Sequence, residues 1–189
     1  MGATWFTADT HLGHNFVASL RGYDTSAAHD DALARAWDRV VGDRDEVWHL
    51  GDVALGGWRD RLAWFADRPG TKHLVLGNHD RAHPLNRSGH NYITDFEAVF
   101  SSVQTQAMIP IGGGIRAMLS HFPHEGDHGA DRFAEWRLRD CGVVLIHGHT
   151  HGCEKSSRTS AGTLQIHVGL DAWKMRLVSN AQVLALATA

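Results

Sequence analysis

Apolar residues in this chain gather into short runs, and most of the runs stop at a cluster of Gly, Asp, Asn or His. The runs at 4–8, 46–50, 74–76, 115–119 and 143–146 are too short for helices and rich in β-branched or aromatic residues, so they predict strands. Val143-Val144-Leu145-Ile146 is unbroken, as a strand covered on both faces would be. Helical spacing appears between them. At 26–41 it links Leu33, Trp37, Val40 and Val41, with Ser26 as N-cap and Asp30 and Asp31 suited to the positive end. At 57–67 it links Trp58, Leu62, Trp64 and Phe65 among arginines, and Pro69-Gly70 stops it. Aromatics at that spacing read as core with a charged outer face rather than as a nucleic-acid surface.

Further along, 81–95 is polar and predicts a loop. Residues 96–111 and 115–119 predict strands paired through Gly112-Gly113-Gly114, and 131–139 predicts a short helix anchored by Phe133, Trp136 and Leu138. The stretch 153–162 predicts an exposed loop, although Lys155 or Arg158 on it is placed to reach a substrate phosphate. Segments 163–168 and 173–178 predict closing strands, and Ser179 caps a final helix carrying Val183, Leu184 and Leu186. A chain of 189 residues fits one domain, 1–189, long enough to bury its own core.

The chemistry lies where the strands end. Leu74-Val75-Leu76 is followed by Gly77-Asn78-His79-Asp80, so an amide oxygen, an imidazole and a carboxylate emerge together at a tight turn. A polar turn is the plainer reading of that stretch alone. The run at 4–8 delivers Asp9-Thr10-His11, whose first and third residues share a face and suit one cation, or else form a solvated loop. His14 and Asn15 follow, either walling the same pocket or capping the next segment. The run at 46–50 delivers Gly51-Asp52, and the run at 115–119 delivers Ser120-His121. The run at 143–146 delivers His147-Gly148-His149-Thr150-His151, and three imidazoles at alternating positions are too many for a core.

Composition narrows the picture. The chain has 15 histidines against 18 lysines plus arginines and a net charge of -3, so no general basic field exists to hold a nucleic-acid backbone. Cys141 and Cys153 form no CxxC pair, which points to a reducing cytoplasm rather than a disulfide scaffold. The start lacks a signal-peptide pattern and no run reaches membrane-spanning length, so a soluble cytoplasmic protein with no membrane partner is expected. Nothing in the sequence sets the oligomeric state.

The order Asp9-Thr10-His11, Gly51-Asp52, Gly77-Asn78-His79-Asp80, His121, Gly148-His149-Thr150-His151 closely resembles the calcineurin-like metallophosphoesterase superfamily over residues 4–171. The opening Asp-Thr-His-Leu-Gly-His-Asn and the His-Gly-His-Thr-His block look like its small bacterial and bacteriophage members. The resemblance implies a four-layer α-β-β-α sandwich, two mixed sheets flanked by helices, with a dinuclear metal site at the strand ends. It implies that Asp9, His11 and His151 hold one divalent ion, that Asn78, His121 and His149 hold the other, and that Asp52 bridges them. His79 would be the catalytic proton donor, with Asp80 orienting it. Two cations at ~3.5–4 Å need a shared anion and together make hydroxide available near neutral pH. Oxygen and nitrogen donors without thiolate suit manganese best, with iron, nickel or zinc as alternatives.

Protein phosphatases of the superfamily continue the second motif with Asp-Arg-Gly, whereas here Asp52 is followed by Val53-Ala54-Leu55. That argues against a phosphoprotein substrate. With little length for a cap domain, an open cleft for a small phosphodiester, cyclic nucleotides included, is the expectation. A nuclease, needing a local basic strip, and a phosphomonoesterase are the alternatives within hydrolases. A non-catalytic binding module would be expected to have lost ligands that are all present here, and structural zinc sites favour closed, thiolate-rich coordination.

Overall fold

A computed structural model describes residues 2–127, 129, 130 and 132–189. Two mixed five-stranded sheets carry the chain, flanked by helices as the sequence predicts. The first holds β1 (Thr4–Thr7), β2 (Glu46–His49), β3 (Thr71–Val75), β4 (Ser102–Gln104) and β10 (Val178–Ser179), in the order β10-β1-β2-β3-β4. Its pairs are parallel except β1 with β10. The second holds β5 (Gln106–Gly112), β6 (Ile115–Ser120), β7 (Leu145–His147), β8 (Ser156–Arg158) and β9 (Leu164–His167), in the order β5-β6-β7-β9-β8. Here β6, β7 and β9 run parallel inside antiparallel edges.

Parallel neighbours need long crossovers, and the first sheet's are α1 (Asn15–Leu20), α2 (Ser26–Asp38), α3 (Trp58–Ala66) and α4 (Ile93–Glu97). Leu33, Trp37, Leu62, Phe65 and Phe96 of these helices join Val47 and Leu74 in one buried cluster. A second cluster joins the sheets face to face: Phe6, Leu50 and Val75 meet Ile111, Leu119, Ile146 and Ile166. Helix α5 (Asn180–Ala187) adds Val183 to it and starts at a capping box between Ser179 and Gln182.

Several expectations need correction. Thr25, not Ser26, caps α2, its hydroxyl accepting from the Ala28 N–H. The polar 81–95 stretch contains a 3-10 turn at Gly89–Tyr92 and the start of α4. Residues 96–111 are not one strand: they end α4, supply β4 to the first sheet and then β5 to the second, so the β5–β6 hairpin begins only at Gln106. The expected helix at 131–139 reduces to a 3-10 turn at Ala134–Trp136, and Asp131 lies outside the described residues. The 153–162 loop contains edge strand β8, and 173–178 yields mostly a turn before the two-residue β10. Amphipathic spacing cannot say which sheet a short apolar run joins, because both sheets accept one.

Candidate metal centre

The predicted ligands, and His79 with them, lie just past the carboxyl ends of parallel strands. Asp9 and His11 follow β1, Asp52 follows β2, Asn78 and His79 follow β3, His121 follows β6, and His149 and His151 follow β7. Ligand sites in open α/β sheets favour this edge. The backbone there is strained. Asp9 (φ 59°), His11 (φ 45°), Asp52 (φ 58°), His149 (φ 71°) and His151 (φ 51°) all adopt the left-handed region that non-glycine residues avoid. Each such residue costs on the order of 1–3 kcal/mol, so five at one site imply that the packing holds them there for function. Gly77 is required by close approach: a Cβ on it would overlap the Asp52 carboxylate.

The donor atoms form two groups. Asp9, His11 and His151 make one, and Asp9, Asp52 and His121 make another. Asp52 Oδ2 lies 3.8 Å from His11 Nε2 and 3.5 Å from His121 Nε2, so it faces both. Asn78 Oδ1 extends the second group, 3.0 Å from both His121 Nε2 and His149 Nδ1. Asp9 also fixes the last motif by accepting the His149 backbone N–H on both oxygens, at 3.2 and 3.0 Å.

Hydrogen bonds on the far ring nitrogens set the direction of the lone pairs. His121 Nδ1–H donates to Leu50 O at 2.7 Å, His151 Nδ1–H to Asp171 Oδ2 at 2.9 Å, and His149 Nε2–H to Asp127 Oδ2 at 3.1 Å. Each arrangement leaves the other nitrogen facing the pocket, where its lone pair can meet a metal, as metal-ligating histidines require. Consequently His11 Nε2 and His151 Nε2 face each other at 3.1 Å, a contact that needs a proton or a cation between them. The donor set therefore fits divalent metal binding.

Asp171 and Asp127 were not assigned from the sequence, and neither was Arg21. The Arg21 guanidinium grips Asp171 through Nε (2.9 Å) and Nη2 (2.7 Å), and Nη2 also donates to Asp9 O at 2.9 Å. Asp127 lies in a Gly, His and Asp-rich loop, and that richness was its only signal. Arg21 and Asp171 stand outside every apolar run, and only the fold brings them together.

Asp80 does not orient His79. Its Oδ2 accepts the backbone N–H groups of Gly77 (2.7 Å) and Asp52 (3.0 Å), and its Oδ1 that of Val53 (3.0 Å), so it ties the second motif to the third. His79 instead donates its backbone N–H to Asp52 Oδ1 at 2.8 Å, and its Nε2 stands 4.0 Å from Asp52 Oδ2. Its side chain is half exposed on a cleft of about 850 Å3. His14 caps α1 by accepting the Val17 N–H on Nδ1, and His147 is buried against His167. Neither Lys155 nor Arg158 reaches the cleft: Lys155 Nζ covers the Trp173 ring and Arg158 donates to Gly162 O.

Burial dominates the titration of the site. It lowers His49 and His149 to about 3 and His83 and His167 to about 4, and it takes His11 and His147 well below the usual imidazole range. Burial also raises Asp52 and Asp80 to about 7, the Asp52 charge adding to the shift of Asp80. Below pH 6.5 the unfolded chain binds protons that the folded imidazoles refuse, so stability falls as pH drops. The raised carboxylates Asp9, Asp52 and Asp80 act oppositely, their contribution being lost as pH rises through their folded-state values, but the lowered imidazoles outnumber them. Chelator-treated protein should therefore show a lower urea midpoint at pH 5 than at pH 7; an equal or higher one would contradict these shifts.

Paired sheets carry a thiolate-free pocket of Asp, Asn and His donors at their parallel ends, which defines a metal-binding α/β scaffold. The sequence profile of the calcineurin-like phosphoesterase superfamily domain matches residues 5–185, and the chain belongs to that superfamily. It is similar to the Gene 66 protein of Mycobacterium phage L5, 47% identical over 194 residues, covering 97% of this chain and 93% of that protein. The Gene 66 protein of Mycobacterium phage D29 is 46% identical over 181 residues, covering 92% and 90%. In fold it is similar to a protein of unknown function, AQ665, from Aquifex aeolicus, with a TM-score of 0.73 at 20% identity, covering 98% of this chain and all of that one. Superfamily membership makes the chain a metal-dependent phosphoesterase, and no helix among the described residues is long and apolar enough to cross a membrane.

Proposed function

We propose that the protein is a dinuclear-metal phosphodiesterase acting on small substrates, cyclic nucleotides among them. The observation that carries this reading is the pair of donor groups sharing Asp9, with Asp52 facing donors of both and His79 left half exposed beside them on an open cleft. Asp9, His11 and His151 would hold one ion and Asn78, His121 and His149 the other, with Asp52 facing donors of both groups. When bound, such a pair of divalent cations neutralises phosphate charge and lowers the pKa of water. Manganese is the ion we propose, on the all-oxygen-and-nitrogen donor set.

The chain's own residues do the rest. Asp80 keeps the Asp52 and Gly77 backbones in register, and Asp52 anchors the His79 backbone, so the imidazole is fixed at the cleft edge. From there the protonated imidazole would give its Nε2 proton to the leaving alkoxide as water oxygen adds to phosphorus and the P–O bond to that alkoxide breaks. Burial lowers the His79 pKa, which strengthens it as an acid and reduces its protonated fraction at neutral pH. A net charge of -3 favours small esters over extended nucleic acid. The exposed free thiols of Cys141 and Cys153 suit a reducing compartment, so we place the protein in the cytoplasm.

The test is hydrolysis of bis(p-nitrophenyl) phosphate against p-nitrophenyl phosphate by chelator-stripped protein re-supplied with manganese. Diester turnover should return with the metal and exceed monoester turnover. Faster monoester cleavage would make the protein a phosphomonoesterase, and cleavage of neither by manganese-loaded protein would remove the hydrolytic reading.

A further inference from the structure

Among the described residues, the large apolar side chains left exposed are Phe16 (65%), Leu20 (71%), Val40 (38%) and Met108 (43%). The two most exposed sit at i and i+4 on α1, and both line the cleft whose other walls include His11, His79 and His151. Val17 of the same helix and Met175 extend the apolar surface of the cleft. Ring centroids step from His11 to His14 in 6.0 Å and from His14 to Phe16 in 6.4 Å, so the wall begins directly beside the donor groups. Exposed apolar side chains gathered at one site mark a binding surface.

This wall is fixed. The His14 cap holds the start of α1, and Arg21, immediately after Leu20, is clamped to Asp171 and to Asp9 O. The helix is thus braced by groups that also hold the donor pocket, and Phe16 and Leu20 keep their place relative to a bound phosphate. A cleft of about 850 Å3 is far larger than a phosphate group and is of the size that encloses whole small ligands.

We infer that the Phe16–Val17–Leu20 face is a subsite for a planar aromatic arm of the ester, an aryl group or a nucleobase. The inference rests on the phosphodiesterase reading and adds the substrate class. An exposed phenyl ring and a thioether on the same cleft suit a flat ring. Thr150 and Lys174 on the same cleft offer polar groups that a base can use and an acyl chain cannot. Truncating Phe16 or Leu20 removes little packed core, since both side chains are mostly in solvent.

The test uses diesters sharing a p-nitrophenolate leaving group and differing only in the other arm: methyl, phenyl, octyl and thymidine-5'. With manganese-loaded protein, kcat/KM for the phenyl and thymidyl esters should exceed that of the methyl ester by about tenfold. In the F16A/L20A double variant that ratio should fall toward one, whereas Met108→Ala, on the distant edge strand β5, should leave it intact. A native ratio near one, an unchanged ratio in the double variant, or an octyl ester better than the aromatic ones would overturn the inference. So would a native dimer that becomes monomeric in the double variant, since the face would then be a contact between copies. If no diester is cleaved, the hydrolytic reading falls, and calorimetry then decides the subsite separately. Phenyl phosphate should bind the manganese-loaded protein about tenfold tighter than methyl phosphate, with the difference lost in the double variant; equal affinities would overturn it.

Discussion

His79→Ala is expected to lower diester turnover roughly 10²–10⁴-fold, the usual worth of a positioned general acid, while both ions stay bound. The backbone N–H of His79, not its ring, is what holds Asp52, and alanine keeps that N–H. The ring stands 4.0 Å from Asp52 Oδ2 and contributes to neither donor group, so its loss should leave the pocket assembled. Because the lost group is an acid, the variant should be least impaired on esters whose leaving alcohol is itself acidic, such as p-nitrophenol. Metal content measured beside kcat checks both halves. If the variant loses an ion, His79 is a ligand and its assigned role is wrong.

Asp52→Asn should separate metal binding from folding. The side chain is buried, it faces donors of both groups, and burial raises its pKa to about 7. Asparagine keeps the shape and the acceptor for the His79 N–H, but it removes the anion that offsets two cations. Metal affinity should fall by more than the roughly 10–100-fold that loss of an outer partner costs. The metal-free variant should nevertheless melt higher than the unsubstituted protein at pH 8, because a buried carboxylate beside Asp80 and Asp9 no longer ionises. Manganese titration and chelator-treated melting curves read the two effects. An unchanged affinity would remove Asp52 from the bridge, and a lower melting point would show that its charge supports the fold.

Much of this arrangement is legible in the sequence because a buried strand followed by Gly, Asp, Asn or His is a local signal. The runs ending at Asp9, Asp52, Asn78, His121 and His149 identify both the strands and the residues that the fold brings together. Their partners carry no such signal. Arg21 reaches Asp171 across most of the chain, and Asp127 reaches His149 from an irregular loop, so only the tertiary arrangement joins them. Asp80 shows the limit from the other side. Its position beside His79 suggested a dyad, but a left-handed turn at Asp52 and the tight approach of Gly77 leave backbone amides that the carboxylate must satisfy. Register between sheets was also hidden, since β4 and β5 read as one apolar stretch although they belong to different layers.

Anomalous scattering from manganese-soaked crystals of the unsubstituted protein addresses the centre itself. Two peaks are expected ~3.5–4 Å apart. One should lie among Asp9, His11 and His151, the other among Asn78, His121 and His149, with Asp52 between them. A single peak, or manganese bound away from these side chains, would contradict a dinuclear site at the strand ends.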